Sequence, residues 1–129
     1  MIVEDSPALL DAMSEIVEAL GYQPIGVNNG AEALAVLAQR AETIALVLSD
    51  LVMPVMDGSA LFRAVRGRGL ATPFVLLSGH PLHNEFAGLK AEGLNGWLLK
   101  PPKIDDLSNL VAEILRKAPR TTVRGRGTA

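Results

Sequence analysis

The sequence predicts an α/β domain: a doubly wound parallel sheet of five strands with five helices on its two faces. Three observations carry this. Five short aliphatic runs alternate with five segments of helical spacing along 129 residues. Several runs lack apolar–polar alternation, as expected of strands covered on both faces. Hydrophobic residues make up 49% and charged residues 20% of the chain, a globular balance sized for one domain. Aromatics are only 4%, so the core must be aliphatic.

The first run, Met1–Val3, is short where strands average about five or six residues. A buried strand of that length is poorly secured, which leads to the expectation that the protein extends upstream of Met1 and that this chain is an excised piece. Ser6 and Pro7 open the first helix, a capping hydroxyl followed by a proline at the first helical position. Leu9, Met13, Ile16 and Leu20 form its apolar stripe and Gly21 stops it. The second strand is predicted at Ile25–Val27 and the second helix at Ala31–Gln39. The third strand is predicted at Ala45–Leu48 and the third helix at Ser59–Arg66, with Asp57–Gly58 as a turn or cap before it. Phe74–Leu77 and Trp97–Leu99 supply the last two strands, separated by a weak helix at Asn84–Ala91. The final helix, Asp105–Lys117, gathers Leu107, Leu110, Val111, Ile114 and Leu115 on one face and ends on Arg116 and Lys117.

Composition excludes several classes. With no cysteine the chain has no disulfide framework, thiolate zinc site or iron–sulfur cluster. It shows no apolar run of the roughly 20 residues that span a bilayer, nor a secretory leader, so a cytoplasmic domain without membrane contact is expected. Residues 1–118 carry nine basic and fourteen acidic side chains, whereas 119–129 carry Arg120, Arg124 and Arg126 and no acid. That basic segment reads as a disordered tail, a linker or an added remnant, in preference to a nucleic-acid arm. Neither G-x-G-x-x-G nor a P-loop motif occurs, and Gly67-Arg68-Gly69 is a loop signal. His80 and His83 lack the further ligands a metal site needs and read as surface loop residues.

Open α/β sheets place ligands beyond the carboxyl ends of their strands. Reading those ends gives Glu4 and Asp5, Ser49 and Asp50, Ser78 and Gly79, and Lys100 and Pro101. Each has a plain alternative: Asp5 as a helix cap, Ser78 as a loop holder, Lys100 as a solvated lysine. Together they put three carboxylates, a hydroxyl and an ammonium in one crevice. Carboxylates so close resist joint ionisation without a cation, and an all-oxygen set suits Mg²⁺ better than zinc. Such a site is equipped to bind a phosphoryl group.

These residues sit in four motifs: Val3-Glu4-Asp5-Ser6, DLVMPVMDG over Asp50–Gly58, LLSGH over Leu76–His80, and GWLLKPP over Gly96–Pro102. Singly each is a weak pattern. In this order and spacing, from Ile2 to about Lys117, the chain resembles the receiver domains of two-component response regulators, so 1–118 is expected to be that domain. The resemblance implies the flavodoxin-like and CheY-like strand order 2-1-3-4-5. It implies that Asp50 accepts a phosphoryl group from a phosphohistidine, and that Asp5, Asp50 and the Val52 backbone carbonyl hold Mg²⁺. Glu4 would act through a metal-bound water. Ser78 would be the switch hydroxyl and Lys100 the pairing lysine, with Pro101 after a cis peptide bond. The implied partner is the dimerisation and phosphotransfer domain of a histidine kinase, or a histidine phosphotransfer protein. The implied contact surface is the fourth helix, fifth strand and fifth helix, where phosphorylation can drive a homodimer. Such a domain is no enzyme in the ordinary sense, although it promotes its own phosphorylation and dephosphorylation.

The motif endings look like those of a receiver cut from a hybrid sensor kinase, with a stand-alone receiver as the alternative. Trp97 stands where the family usually has the switching Tyr or Phe, and Pro102 where it usually has an aromatic residue. Val52 and His80, two places beyond Asp50 and Ser78, are expected to set how long the phosphoryl group survives. Two other functions compete. One is a degenerate receiver that only binds proteins, which would have no need of all five site residues. The other is a flavodoxin-like ligand binder, disfavoured because acidic strand ends repel a flavin phosphate.

Overall fold

A computed structural model describes residues 1–117; the basic segment 119–129 lies outside the described residues. The elements are β1 (Ile2–Val3), α1 (Pro7–Ala19), β2 (Gly26–Val27), α2 (Gly30–Arg40), β3 (Val47–Asp50), α3 (Gly58–Gly67), β4 (Phe74–Ser78), α4 (Asn84–Ala91), β5 (Gly96–Leu99) and α5 (Ile104–Lys117). All pairings are parallel and the order is β2-β1-β3-β4-β5, as expected. Among the described residues no helix is long and apolar enough to cross a membrane.

Strand alternation divides the core in two. Val3, Val27, Val47, Phe74 and Leu76 face α2, α3 and α4, where Leu37, Leu61, Phe62, Val65 and Leu89 meet them. Ile2, Leu48, Val75 and Leu77 face the other way, against Met13 and Val17 of α1 and Leu107, Val111 and Ile114 of α5. The largest fully buried side chains are Phe62 and Phe74, packed edge to face with centroids 5.4 Å apart. Covering both faces in this way is what lets a parallel sheet consist of nearly unbroken aliphatic runs.

Local chemistry sets the helix ends. Ser6 caps α1, with Pro7 at its first position. Gly21, at φ +95, closes α1 in the left-handed conformation that a side chain disfavours. Asn29 caps α2 by accepting the Glu32 N–H at 2.8 Å, while the Glu32 carboxylate accepts the Asn28 N–H at 2.9 Å. Asp57 caps α3 by accepting the Ala60 N–H at 2.8 Å, which agrees with its reading as a cap.

The third strand starts two residues later than the aliphatic run Ala45–Leu48 and runs from Val47 to Asp50, ending on the Ser49 and Asp50 read as its carboxyl end. Its neighbours decide this: β4 pairs with it from Val47↔Phe74 to Asp50↔Leu77, and β1 pairs Val3 with Ser49. Polar Ser49 and Asp50 are therefore ladder residues, both buried. A short 3₁₀ turn, Ala41–Thr43, follows α2 and gave no periodic signal in the sequence.

Candidate functional site

The carboxyl edges of β1, β3, β4 and β5 deliver the predicted side chains to one place. Glu4 and Asp5 follow β1, Asp50 ends β3, Ser78 ends β4 and Lys100 follows β5. Glu4, Asp5 and Asp50 each offer a carboxylate oxygen within 4.8 Å of the others. Glu4 and Asp50 are buried and Asp5 is exposed, so the cluster opens to solvent on the Asp5 side.

Lys100 answers this charge. Its Nζ lies 3.0 Å from Asp50 Oδ2 and 3.3 Å from Glu4 Oε1. Burial opposes its charge, but the hydrogen bond and charge of Asp50, reinforced by Glu4, outweigh that and hold its pKa above the usual lysine value. The Glu4 carboxyl is pushed up, first by burial and then by the charge of Asp50, against a backbone hydrogen bond from Ser6 and the proximity of Lys100. That backbone bond runs from the Ser6 N–H to Glu4 Oε2 at 3.1 Å. One ammonium thus pairs with two of the three clustered carboxylates, Asp50 and Glu4. The set is all oxygen and has one member open to water, so these residues fit a hard divalent cation such as Mg²⁺.

Ser78 is fully buried, and its hydroxyl is already engaged. It donates to the His80 carbonyl at 2.6 Å and accepts the His80 N–H at 3.2 Å. The Ser78 carbonyl accepts the Lys100 N–H at 2.7 Å, which ties the ends of β4 and β5 together. The Lys100–Pro101 peptide is cis, as expected. His80 and His83 lie in the loop before α4 and are exposed, matching their surface reading.

Val52 stands beyond Asp50 with its side chain 71% exposed, so any contribution it makes to the site comes from its main chain. Trp97, three residues before Lys100, is half-buried and packs on the α2–α3–α4 side of the sheet. Ser49 does not join the cluster; its hydroxyl donates to the Asp50 carbonyl at 2.9 Å.

Sequence reasoning missed Gly58 as a part of the site's frame. A Cβ there would lie 2.5 Å from the Asp50 carbonyl oxygen, 2.7 Å from Leu76 Cδ2 and 3.0 Å from Leu51 Cα. Its N–H donates to the Leu51 carbonyl at 2.7 Å. The Asp57-Gly58 pair signalled a helix start, but nothing in it signalled that the glycine presses on the backbone of the central aspartate. Between them the loop turns at Val55, whose φ of +69 is strained for a β-branched residue and whose side chain is fully exposed.

Comparison with known proteins agrees with this geometry. The family model described as "Response regulator receiver domain" matches residues 1–112. The sensor histidine kinase RcsC of Salmonella typhi is 33% identical over 121 residues, which cover 94% of this chain and 13% of that protein. The chain therefore spans about an eighth of that relative's length. The crystal structure of the signal receiver domain of a signal transduction histidine kinase from Syntrophus aciditrophicus is 34% identical, with a TM-score of 0.79, covering 95% of this chain and 92% of that one. A response regulator receiver domain protein from Clostridium thermocellum shares the fold, with a TM-score of 0.83 at 21% identity over 90% of this chain and 92% of its own.

Proposed function

The chain belongs to the response regulator receiver domain family, and from that premise we propose that Asp50 accepts a phosphoryl group from a phosphohistidine and that the resulting charge switches a protein-binding surface. The observation that carries this is the meeting of Lys100 with Asp50 inside the Glu4–Asp5–Asp50 cluster at the carboxyl edge of the sheet. A degenerate binding module has no use for a buried aspartate held against a lysine beside two more carboxylates.

The step balances simply. A carboxylate oxygen of Asp50 attacks phosphorus in line with the phosphorus–nitrogen bond of the donor. That bond breaks, the imidazole departs with a proton, and an aspartyl phosphate remains. Asp5, Asp50 and the Val52 carbonyl would hold Mg²⁺, with Glu4 acting through a water, and the ion when bound supplies positive charge against the phosphoryl oxygens. Lys100 fixes the orientation of Asp50 beforehand and can follow the new charge, because its ammonium is already at the acceptor oxygen. The modification adds about −1.5 to −2 charges near neutral pH. The Ser78 hydroxyl would then leave the His80 backbone for a phosphoryl oxygen, biasing two arrangements of the β4–α4 loop.

The same reading assigns the domain a cytoplasmic place and a phosphohistidine-bearing partner, either a kinase dimerisation domain or a phosphotransfer protein. It also makes the α4–β5–α5 face the switched surface, on which a phosphorylated copy can pair with another. Similarity to RcsC and to the Syntrophus kinase receiver favours origin in a hybrid kinase. Incubation with a small phosphodonor and Mg²⁺ tests it: intact mass should rise by one phosphoryl group, and Asp50→Ala should take up none. Uptake by Asp50→Ala equal to the parent would make the assignment wrong. An unchanged parent would leave the binding-module reading.

A further inference from the structure

Next to the acidic cluster, between the β3–α3 loop and the start of α4, lies a cleft of about 420 Å³. That is an ordinary size for a ligand cleft. Its floor is apolar: Met53, Leu82 and Leu89 are all buried and belong to the core on the α2–α3–α4 side of the sheet. Its rim is polar, formed by Asp57 and Ser59 at the start of α3 and by His80 and Glu85 on the β4–α4 side. Among the described residues no lysine or arginine lines it.

The rim carboxylates are only partly used. Asp57 Oδ1 accepts the Ala60 N–H as the cap of α3, and among the described residues its Oδ2 accepts no hydrogen bond. Glu85 Oε2 stands 3.8 Å from His80 Nε2, beyond hydrogen-bond reach, and its side chain is 61% exposed. Arg63 feels the charge of Asp57, but its guanidinium is forked onto Glu92 at 3.0 and 3.2 Å, so that cation is committed away from the rim.

A buried apolar floor below two such carboxylates matches one kind of group, a flexible aliphatic stem that ends in a cation. The stem covers Met53, Leu82 and Leu89, and the head meets the rim while staying in contact with water. An anionic group would meet two like charges, and a purely apolar one would leave the rim unanswered.

We infer that this cleft receives an arginine or lysine side chain of the protein partner that meets the Asp50 edge, with its stem on the floor and its head at the Asp57–Glu85 rim. The identity of the occupant rests on the reading of Asp50 as phosphoacceptor. The cleft then acts as a specificity determinant: a partner with a short or acidic residue at that place docks less well.

The test titrates n-butylguanidinium, which mimics an arginine side chain, into the full Mg²⁺-free chain and follows backbone amide resonances, with n-butylurea as the neutral isostere. Shifts at Met53, Leu82 and Leu89 should saturate with a Kd of about 1–20 mM, the range open to so small a ligand. n-Butylurea should bind about threefold or more weakly. Glu85→Gln should weaken the guanidinium about twofold to fivefold, and Glu85→Lys should abolish saturation. Equal binding of the urea and the guanidinium, equal binding by the parent and Glu85→Gln, or shifts confined to Asp5, Ser6 and Lys100 would overturn the inference. Spermidine binding about a hundredfold or more tighter than n-butylguanidinium would overturn it too, by making the cleft a small-molecule site. The titration needs no phosphorylation, so a failure of the Asp50 reading shows separately, as a missing gain in mass with the titration unchanged.

Discussion

The Lys100 ammonium stands 3.0 Å from Asp50 Oδ2 and reaches Glu4 Oε1 at 3.3 Å, so a single positive charge holds two buried carboxylates that would otherwise repel each other. Removing it leaves both unpaired. Lys100→Met should lower the stability of the Mg²⁺-free protein by about 1–3 kcal/mol in urea unfolding, a range that reflects the partial exposure of the lysine. Asp50→Asn should act in the opposite sense, raising stability on the order of 1 kcal/mol by relieving the crowding. Mg²⁺ at about a hundred times its Kd should add about 2.7 kcal/mol to the parent and little to Asp50→Asn.

Glu4 gives that cluster a pH dependence. Its folded-state pKa is raised, chiefly by burial, above the ordinary 4.5. The folded protein therefore binds more protons than the unfolded chain between the two values. The corresponding stability is fully present below 4.5 and is lost as pH rises through the higher value. Without Mg²⁺, the difference in stability between the parent and Glu4→Gln should shift across that window, with the parent falling relative to the variant as pH rises. Lys100 has the same sign at the alkaline end, losing its contribution as pH climbs past its raised value above 10.5. A parent and variant with parallel pH curves would contradict the shift at Glu4.

Gly58 and Gly88 form a matched pair. Both lie in helices, but an added Cβ at Gly58 meets the Asp50 carbonyl at 2.5 Å, whereas at Gly88 it meets nothing within 4 Å. Gly58→Ala should cost about 1–3 kcal/mol and slow phosphoryl uptake, because the backbone that must shift belongs to Asp50. Gly88→Ala should stabilise by about 0.5–1 kcal/mol through helix propensity, without changing uptake.

At the opposite end of the sheet Arg66 works as a clamp. Its guanidinium donates to the carbonyls of Leu70, Thr72 and Gly93 at 2.9, 2.8 and 3.0 Å and to Asn95 Oδ1 at 3.3 Å, and it lies 4.9 Å from the centroid of the Phe62 ring. Asn95 in turn accepts the Phe74 N–H at 2.9 Å, so one side chain secures the entries to β4 and β5. Arg66→Ala should cost about 2–4 kcal/mol in chemical denaturation, and Arg66→Lys should recover only part of it. An ammonium cannot present the planar fork those acceptors require.

What the sequence made legible follows from where the information is stored. Aliphatic runs and caps are local, so the elements, their order along the chain and the Ser6 and Asp57 caps could be read directly. The convergence of Glu4, Asp5, Asp50 and Lys100 was legible because topology sends these strand ends to the same edge. Three things were not. The extent of β3 depends on partners in β1 and β4, which made Ser49 and Asp50 strand residues despite their polarity. The reach of Arg66 ends on backbone carbonyls, and these leave no trace in residue identity. The pressure of Gly58 on Asp50 is a matter of ångströms between segments that periodicity does not relate.

The hydroxyl of Ser78 is bracketed by the carbonyl and the N–H of His80, both main-chain atoms. The identity of the side chain at position 80 is therefore decoupled from the resting posture of the hydroxyl. Replacing His80 with any residue that keeps its N–H leaves the bracket intact, while Pro, which has none, removes half of it. A library at this one position would thus vary the side chain next to the bracket while holding the resting posture of the Ser78 hydroxyl constant, so that, on the proposed function, phosphoryl lifetime and conformational bias could be adjusted independently.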